Sequence, residues 1–151
     1  MADPFTAAVS SFAVISLAIQ LFDNVREIKT FISYISESQR TLQGLVDKLE
    51  QLELVFTNIK VIIENQHRAN GGEETTISAS VLQAMEICKR NLQLLDGVVN
   101  STKSECEGRG KAQKMLAAFK LALRRERMED FERQLQNVLQ ILDLTITLNL
   151  T

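Results

Sequence analysis

The residues of this chain that could do acid–base or metal chemistry are few, and they stand apart from one another. His67 is the single histidine and lies in a polar segment. Glu73 and Glu74 form an acidic pair in a predicted loop, without a histidine or a further acid at the spacing of metal ligands. Ser10 and Ser11 have no base near them in the sequence to activate a hydroxyl. The sequence therefore predicts a protein that is not an enzyme and that needs no metal or cofactor.

The glycines and cysteines lead to the same prediction. Gly71-Gly72 and Gly108-x-Gly110 lack the Gly-Lys-Ser/Thr that completes a phosphate-binding loop. Cys88 and Cys106 both fall within helical patterns, and no secretory signal precedes them. We therefore expect reduced thiols in a cytosolic protein. Because Cys88 lies on an apolar face, it is expected to be a buried core residue rather than a reactive thiol.

A basic stretch is the first feature that indicates a partner. Residues 109–127 contain seven basic residues and one acidic residue, a net charge of +6 in a chain whose total is −2. One interpretation is a solvated helix face, and the other is attraction to anionic lipid head groups, worth about 1 kcal/mol per basic residue. Nucleic acid is not expected as a partner, because the rest of the chain is acidic and aromatic residues make up only 5% of it. The candidate residues for head-group binding are Lys114, Lys120, Arg124, Arg125 and Arg127.

An uncharged apolar run near the beginning of the chain is the most distinctive feature. Between Asp3 and Asp23 lie 19 residues without a charge, and 13 of them are Ala, Val, Ile, Leu or Phe. A helix over residues 4–22 would be about 28 Å long, close to the thickness of a bilayer's hydrocarbon core. Three interpretations are open: a buried central helix of a bundle, a helix that moves between core and membrane, and a permanent anchor.

The rest of the chain has the apolar spacing of helices that pack side by side. A second helix is predicted from Val25 to Ile35. Ser36 and Gln39 form a capping-box pattern, so a third helix is predicted to begin near Ser36, although a bent continuous helix is an alternative. A polar loop to Thr76 follows that helix, and Ser78 is predicted to cap the next one. The predicted core positions are Leu42, Leu45, Leu49, Leu52, Phe56, Ile59 and Ile63, then Val81, Met85, Cys88, Leu92, Leu95 and Val99.

Two further helices complete the prediction. Met115, Phe119 and Leu123 mark a short basic helix, and the final helix is marked by Met128, Phe131, Leu135, Val138 and Leu142. Residues 144–150 alternate like a strand but are predicted as helix, because no sheet partner is recognised. The fold class is therefore all-α: an up-and-down bundle of four to five helices in a single domain over residues 1–151, with the first helix at its centre. We expect it to be the N-terminal module of a longer protein.

Several segments together resemble the N-terminal domain of fungal STAND proteins, the HeLo-like family. The resemblance begins with Asp3-Pro4-Phe5 and the run that ends in Leu17-Ala18-Ile19-Gln20, and it covers nearly the whole chain. The other segments that carry it are Leu45-x-x-Lys48-Leu49-x-x-Leu52, Ile87-Cys88-x-x-Asn91-Leu92-x-x-Leu95, and the basic stretch leading to Phe131-x-x-x-Leu135.

The resemblance implies the helical bundle of an NLR-like receptor or a related cell-death protein, similar to HeLo domains and to the bundle of the mixed-lineage kinase-like pseudokinase. Such a domain is cytoplasmic at rest. On activation it self-associates and exposes its first helix to the anionic lipids of the plasma membrane, and a downstream receptor domain is a further partner in the full-length chain. The resemblance places the membrane-acting residues at Phe5, Phe12, Ile15, Ile19 and Phe22. The alternative is a regulatory protein–protein interaction module in which residues 4–22 stay buried.

Overall fold

A computed structural model of the chain describes residues 8–35, 42–72, 76–106, 112–125 and 130–150. It contains five helices and two short strands in the order β1, α1, α2, β2, α3, α4, α5. Their bounds are β1 Ala8–Ser10, α1 Ser11–Ile35, α2 Gln43–Ala69, β2 Thr76–Ser78, α3 Ala79–Cys106, α4 Ala112–Arg125 and α5 Phe131–Leu150. The predicted all-α bundle is confirmed.

Four of the helices form a closed ring around the core. Helix α1 packs against α2, α2 against α5, α5 against α3, and α3 against α1. Helix α4 lies outside this ring, against α3 and α1. Each helix therefore turns one apolar side towards the core and leaves another side for solvent, as is typical of helix bundles.

The core contains most of the residues whose spacing predicted it, although Leu123 of α4 is only half-buried. Leu42 and the six predicted core positions of α2 are buried, and so are all six of α3. Phe131, Leu135, Val138 and Leu142 of α5 are also buried, as are Met115 and Phe119 of α4. Met128 lies outside the described residues. The spacing of apolar residues predicts these core positions correctly because a helix in a bundle buries one face along its whole length.

The two strands were missed by the sequence analysis. Residues Ala8–Ser10 were predicted as helix, and Thr76 was predicted as the end of a loop. In the structure, Ala8–Ser10 and Thr76–Ser78 instead pair as antiparallel strands, with Val9 opposite Ile77. Each strand ends in a serine that caps the helix after it: Phe12 N–H donates to Ser10 Oγ at 3.2 Å, and Ser80 N–H donates to Ser78 Oγ at 3.3 Å. The predicted cap at Ser78 is thus confirmed, and the prediction of helix over residues 8–10 was wrong.

Helix α1 differs from the prediction in two further respects. It continues unbroken from Ser11 to Ile35, so the predicted first and second helices are one. Asp23 does not interrupt it, because this residue lies on the solvent side. The helix is also not central: it forms one wall of the ring, and a ring of four helices has no central position for one of them. The helix ends at Ile35, as predicted, whereas the capping-box residues Ser36 and Gln39 lie outside the described residues.

The end of α2 has a specific backbone structure. Gly72 N–H donates to the His67 carbonyl at 3.0 Å and Gly71 N–H to the Arg68 carbonyl at 3.1 Å, which is the Schellman pattern of helix termination. Both glycines have positive φ, 70° and 84°, a conformation that other residues adopt only with strain. These glycines therefore end α2 and turn the chain back towards β2.

Candidate functional site in the outer groove between α1 and α2

The N-terminal half of α1 presents large apolar side chains to solvent. Phe12 is 52% exposed and Ile19 is 42% exposed. Ile15 and Phe22 are half-buried and lie on the same side of the helix, at spacings of three and four residues. We call these four residues the outer stripe. They are four of the five residues predicted to act on membranes, and the structure brings them together; the fifth, Phe5, lies outside the described residues.

The opposite side of the same helical turns belongs to the core. Val14, Leu17, Ala18 and Leu21 are all buried. The uncharged run therefore has two apolar sides, of which the bundle covers only one. Residues 11–22 are therefore apolar on two sides although α1 is not a central element.

Two clefts lie along the outer stripe, between α1 and α2, and we call them together the groove. One cleft of about 280 Å³ lies between Ile19 and Phe22 of α1 and Phe56 and Lys60 of α2. A second cleft of about 270 Å³ lies nearer the beginning of α1, and its lining residues are Ser11, Phe12, Ile15, Glu64, His67 and Arg68. Both clefts are slightly below the usual size of a small-molecule site. They fit individual side chains or lipid segments of a partner better than a cofactor.

The second cleft contains the His67 side chain. The imidazole packs edge-to-face against the Phe12 ring, with 5.6 Å between the ring centroids. Its Nδ1 atom is buried, and no hydrogen-bond partner for it is found among the described residues. The contact attaches the beginning of α1 to the last turn of α2. His67 lies in a polar segment of the sequence, and its contact with Phe12 could not be predicted, because the two residues are 55 positions apart.

Charged residues of both signs line the groove. Asp23 lies at the first cleft together with Lys60, and Glu64 and Arg68 lie at the second. Asp23 and Arg68 are exposed, whereas Lys60 and Glu64 are half-buried. Lys60, Glu64 and Arg68 were not predicted as site residues, although their spacing places them along one edge of the buried face of α2, next to Phe56 and Ile63.

The predicted basic residues lie elsewhere, on α4. Lys114 and Arg124 are exposed and Lys120 is half-buried. Helix α4 contacts α1 through the rings of Phe119 and Phe31, whose centroids are 6.0 Å apart. This contact is in the C-terminal half of α1, so the outer stripe and the basic residues occupy different parts of the domain. Arg127 and the Arg125 side chain lie outside the described residues.

Polar interactions are concentrated in the C-terminal half of α1. Lys29 Nζ lies 2.6 Å from Glu53 Oε1 of α2, and both side chains are largely buried. Lys103 Nζ of α3 lies 5.3 Å from the centroid of the Phe31 ring, a cation–π contact. A shallow depression of about 830 Å³ beside them is lined by Asp23, Arg26, Glu27, Thr30, Phe31, Tyr34 and Lys103. Its charges of both signs indicate no particular ligand.

Neither enzymatic nor metal chemistry gains support from the described residues. Burial raises the pKa of the Cys88 thiol to about 12, so the thiol stays protonated and unreactive at neutral pH. No group of three potential metal ligands is found within the described parts of the chain. Among the described helices, none combines the length and the apolar character that crossing a membrane requires.

Comparisons with known proteins give no further constraint. No family model, no curated protein and no solved structure matches this chain. The resemblance to the HeLo-like family therefore stays a prediction.

Proposed function

We propose that this chain is a membrane-targeting module that docks on anionic membranes through the outer stripe and self-associates. The observation that carries the proposal is the exposure of Phe12 and Ile19, 52% and 42%, in the folded bundle. A half-exposed side chain of this size contributes about 1 kcal/mol when its remaining surface is buried. The four residues of the stripe together supply a few kcal/mol, enough for reversible docking, and basic residues of α4 that come near an anionic surface would add about 1 kcal/mol each.

The exposure of the stripe changes the mechanism expected from the sequence. Release of residues 4–22 from the core would expose Val14, Leu17 and Leu21, which are buried. Docking through the outer stripe needs no such release. We therefore place docking first, with α1 still in the bundle, and any release of the segment after it. The further role as a cell-death-inducing module of a fungal NLR-like receptor, cytoplasmic at rest and at the plasma membrane when active, rests on the resemblance alone.

A second candidate is a regulatory interaction module that uses the same groove for a partner protein. It is favoured by the charges of both signs along α2, since Lys60, Glu64 and Arg68 are suited to a protein surface with matching charges. In this case α1 never leaves the bundle, and vesicles are not bound.

The experiment is vesicle flotation of the purified chain at low salt, with anionic and with neutral lipids. We expect the wild-type chain to float with anionic vesicles and the variant Ile19→Asp to bind at least about tenfold more weakly, because a charge would enter the apolar contact. Gln20→Asp is the matched control: it adds the same charge one residue later, at an exposed position outside the stripe.

The basic residues are tested in the same assay. Changing Lys120, Arg124 and Arg127 to Glu should reduce binding to anionic vesicles and should not change the fold. Equal flotation of the Ile19→Asp and Gln20→Asp variants would show that the stripe is not the docking surface. A folded wild-type chain that stays with the soluble fraction would exclude membrane docking. The regulatory interaction module would then be the remaining candidate function.

A further inference from the structure

We infer that a second copy of this chain covers the outer stripe at rest, in an antiparallel contact with two-fold symmetry. The residues at positions 12, 15, 19 and 22 are Phe, Ile, Ile and Phe. Their types and their spacing read the same in both directions. When two such helices lie antiparallel, face to face, Phe12 of one copy meets Phe22 of the other, and Ile15 meets Ile19. The stripe is therefore complementary to itself, as a two-fold contact requires.

The symmetry axis crosses α2 at a defined position. On α1 the midpoint of the stripe is Leu17, five residues after Phe12. Helices α1 and α2 run antiparallel, since Phe12 contacts His67 and Lys29 contacts Glu53. Five residues before His67 is Ile62. Because five residues span about 7.5 Å on either helix, Leu17 and Ile62 lie at the same height along the two helices, and the axis that crosses α1 at the level of Leu17 crosses α2 at the level of Ile62.

The charges of the groove are arranged about the same axis. Lys60 and Glu64 are each two residues from Ile62, on opposite sides of it, so the rotation brings Lys60 of one copy to Glu64 of the other. Asp23 is six residues after Leu17 and Arg68 is six residues after Ile62, which places them at opposite ends of the groove. The same rotation brings Asp23 near Arg68 of the second copy. The apolar centre of the contact is thus flanked by pairs of opposite charge. The rotation brings no two of these four groove charges together with the same sign.

The apolar centre is extended by one residue of α2. Val61 is 45% exposed and lies one position from the axis, so the two copies of this side chain approach each other. The outer stripe, Val61 and the four charged residues of the groove are nine residues per copy, fewer than the roughly 20–30 residues a side of a standard stable interface. We therefore expect a weak dimer, with a dissociation constant on the order of tens of micromolar.

This dimer would hide the surface that the proposed function assigns to membrane docking. The second copy and the membrane would compete for the outer stripe, so dilution or membrane contact would favour the free form. Only this competition depends on the proposed function; the dimer itself depends on the order of residues in the stripe and on the charges of α2.

The test uses two opposite charge reversals, Lys60→Glu and Glu64→Lys, in sedimentation equilibrium of the whole chain. Each variant alone should dimerise at least about tenfold more weakly than the wild type, because two symmetry-related attractions become repulsions. A mixture of the two variants should form a heterodimer at least as tightly as the wild type dimerises, because every Glu of one then faces a Lys of the other. Lys48→Glu, a charge reversal on α2 outside the groove, should leave dimerisation unchanged.

Two results would overturn the dimer: a wild-type chain that stays monomeric up to about 500 µM, or a mixture that associates no better than the single variants. Circular dichroism of both variants checks that the fold is kept. Flotation then tests the competition separately. The mixture should float less well than either variant alone, and equal flotation would overturn the competition while leaving the dimer. A dimer without any vesicle binding would overturn the proposed docking function instead.

Discussion

The two halves of α1 both lie against α2, but their outer surfaces differ in chemical character: the N-terminal half is apolar and the C-terminal half is polar. In the N-terminal half, Phe12 and Ile19 are exposed beside two open clefts. In the C-terminal half, the ammonium of Lys29 and the carboxylate of Glu53 pair at 2.6 Å. Lys103 covers the Phe31 ring from α3. Lys29 and the Phe31 ring of the C-terminal half therefore find partners within the chain, whereas Phe12 and Ile19 of the N-terminal half remain about half exposed to water.

The difference shows where an external partner is most favourable. Burial of an exposed apolar side chain always releases free energy, but an ion pair that already exists within the chain gains little from a new partner. The N-terminal half is also held at its beginning by the β1–β2 pair and by the contact of Phe12 with His67. It is thus a fixed apolar surface rather than a frayed helix end.

The largest expected effect separates the two sides of the N-terminal half. Leu21 is 1% exposed, so Leu21→Asp should prevent folding, because it would place an unpaired carboxylate in the core. Ile19→Asp, two residues earlier, should fold with a loss of no more than about 1 kcal/mol, since the new charge stays in water. Urea unfolding followed by circular dichroism measures both. If Ile19→Asp were as damaging as Leu21→Asp, the outer stripe would have to be part of the core.

An intermediate effect is expected at the strand pair that holds the beginning of α1. Ile77 of β2 is 4% exposed, and Ile77→Ala should cost about 2–4 kcal/mol through lost burial and a cavity. Hydrogen exchange should then increase more for the amides of residues 12–22 than for those of residues 25–35. A uniform increase along α1 would show that the strand pair does not hold the apolar half specifically.

The smallest effect concerns the ion pair of the C-terminal half. Lys29→Met should cost about 1–3 kcal/mol, because it leaves the largely buried Glu53 carboxylate without its counter-charge. The double variant Lys29→Met, Glu53→Leu should recover most of this loss, since replacing both charges removes the desolvation cost. Thermal unfolding of the single and double variants gives the coupling free energy between Lys29 and Glu53. Additive losses would mean that the pair is too solvated to matter.

Most of the fold could be predicted from the sequence, for a local reason. The positions of Leu49, Leu52, Phe56 and Leu92 in the core follow from apolar spacing, and the cap at Ser78 follows from the preference of serine for helix N-termini. The strands could not be predicted. Each has three residues, and Ala8 and Ser78 are brought together only by the packing of α1, α2 and α3.

For the candidate site, the residue types were predictable but the surfaces were not. Phe12, Ile15, Ile19 and Phe22 could be selected because the run around them carries no charge. Their placement outside the core required the positions of α2 and α3. The same holds for His67 and Glu64, whose roles depend on which side of α2 faces α1.

The sequence by itself determined most of the helical segments and the apolar side of α2, α3 and α5, because helical periodicity is a property of neighbouring residues. Only the tertiary structure decided which apolar side of residues 11–22 is covered. Both sides of that segment are apolar, so local pattern does not distinguish them. The choice was made by the helices that pack against α1: α2 and α3 bury Val14, Leu17 and Leu21, and Phe12 and Ile19 remain in solvent.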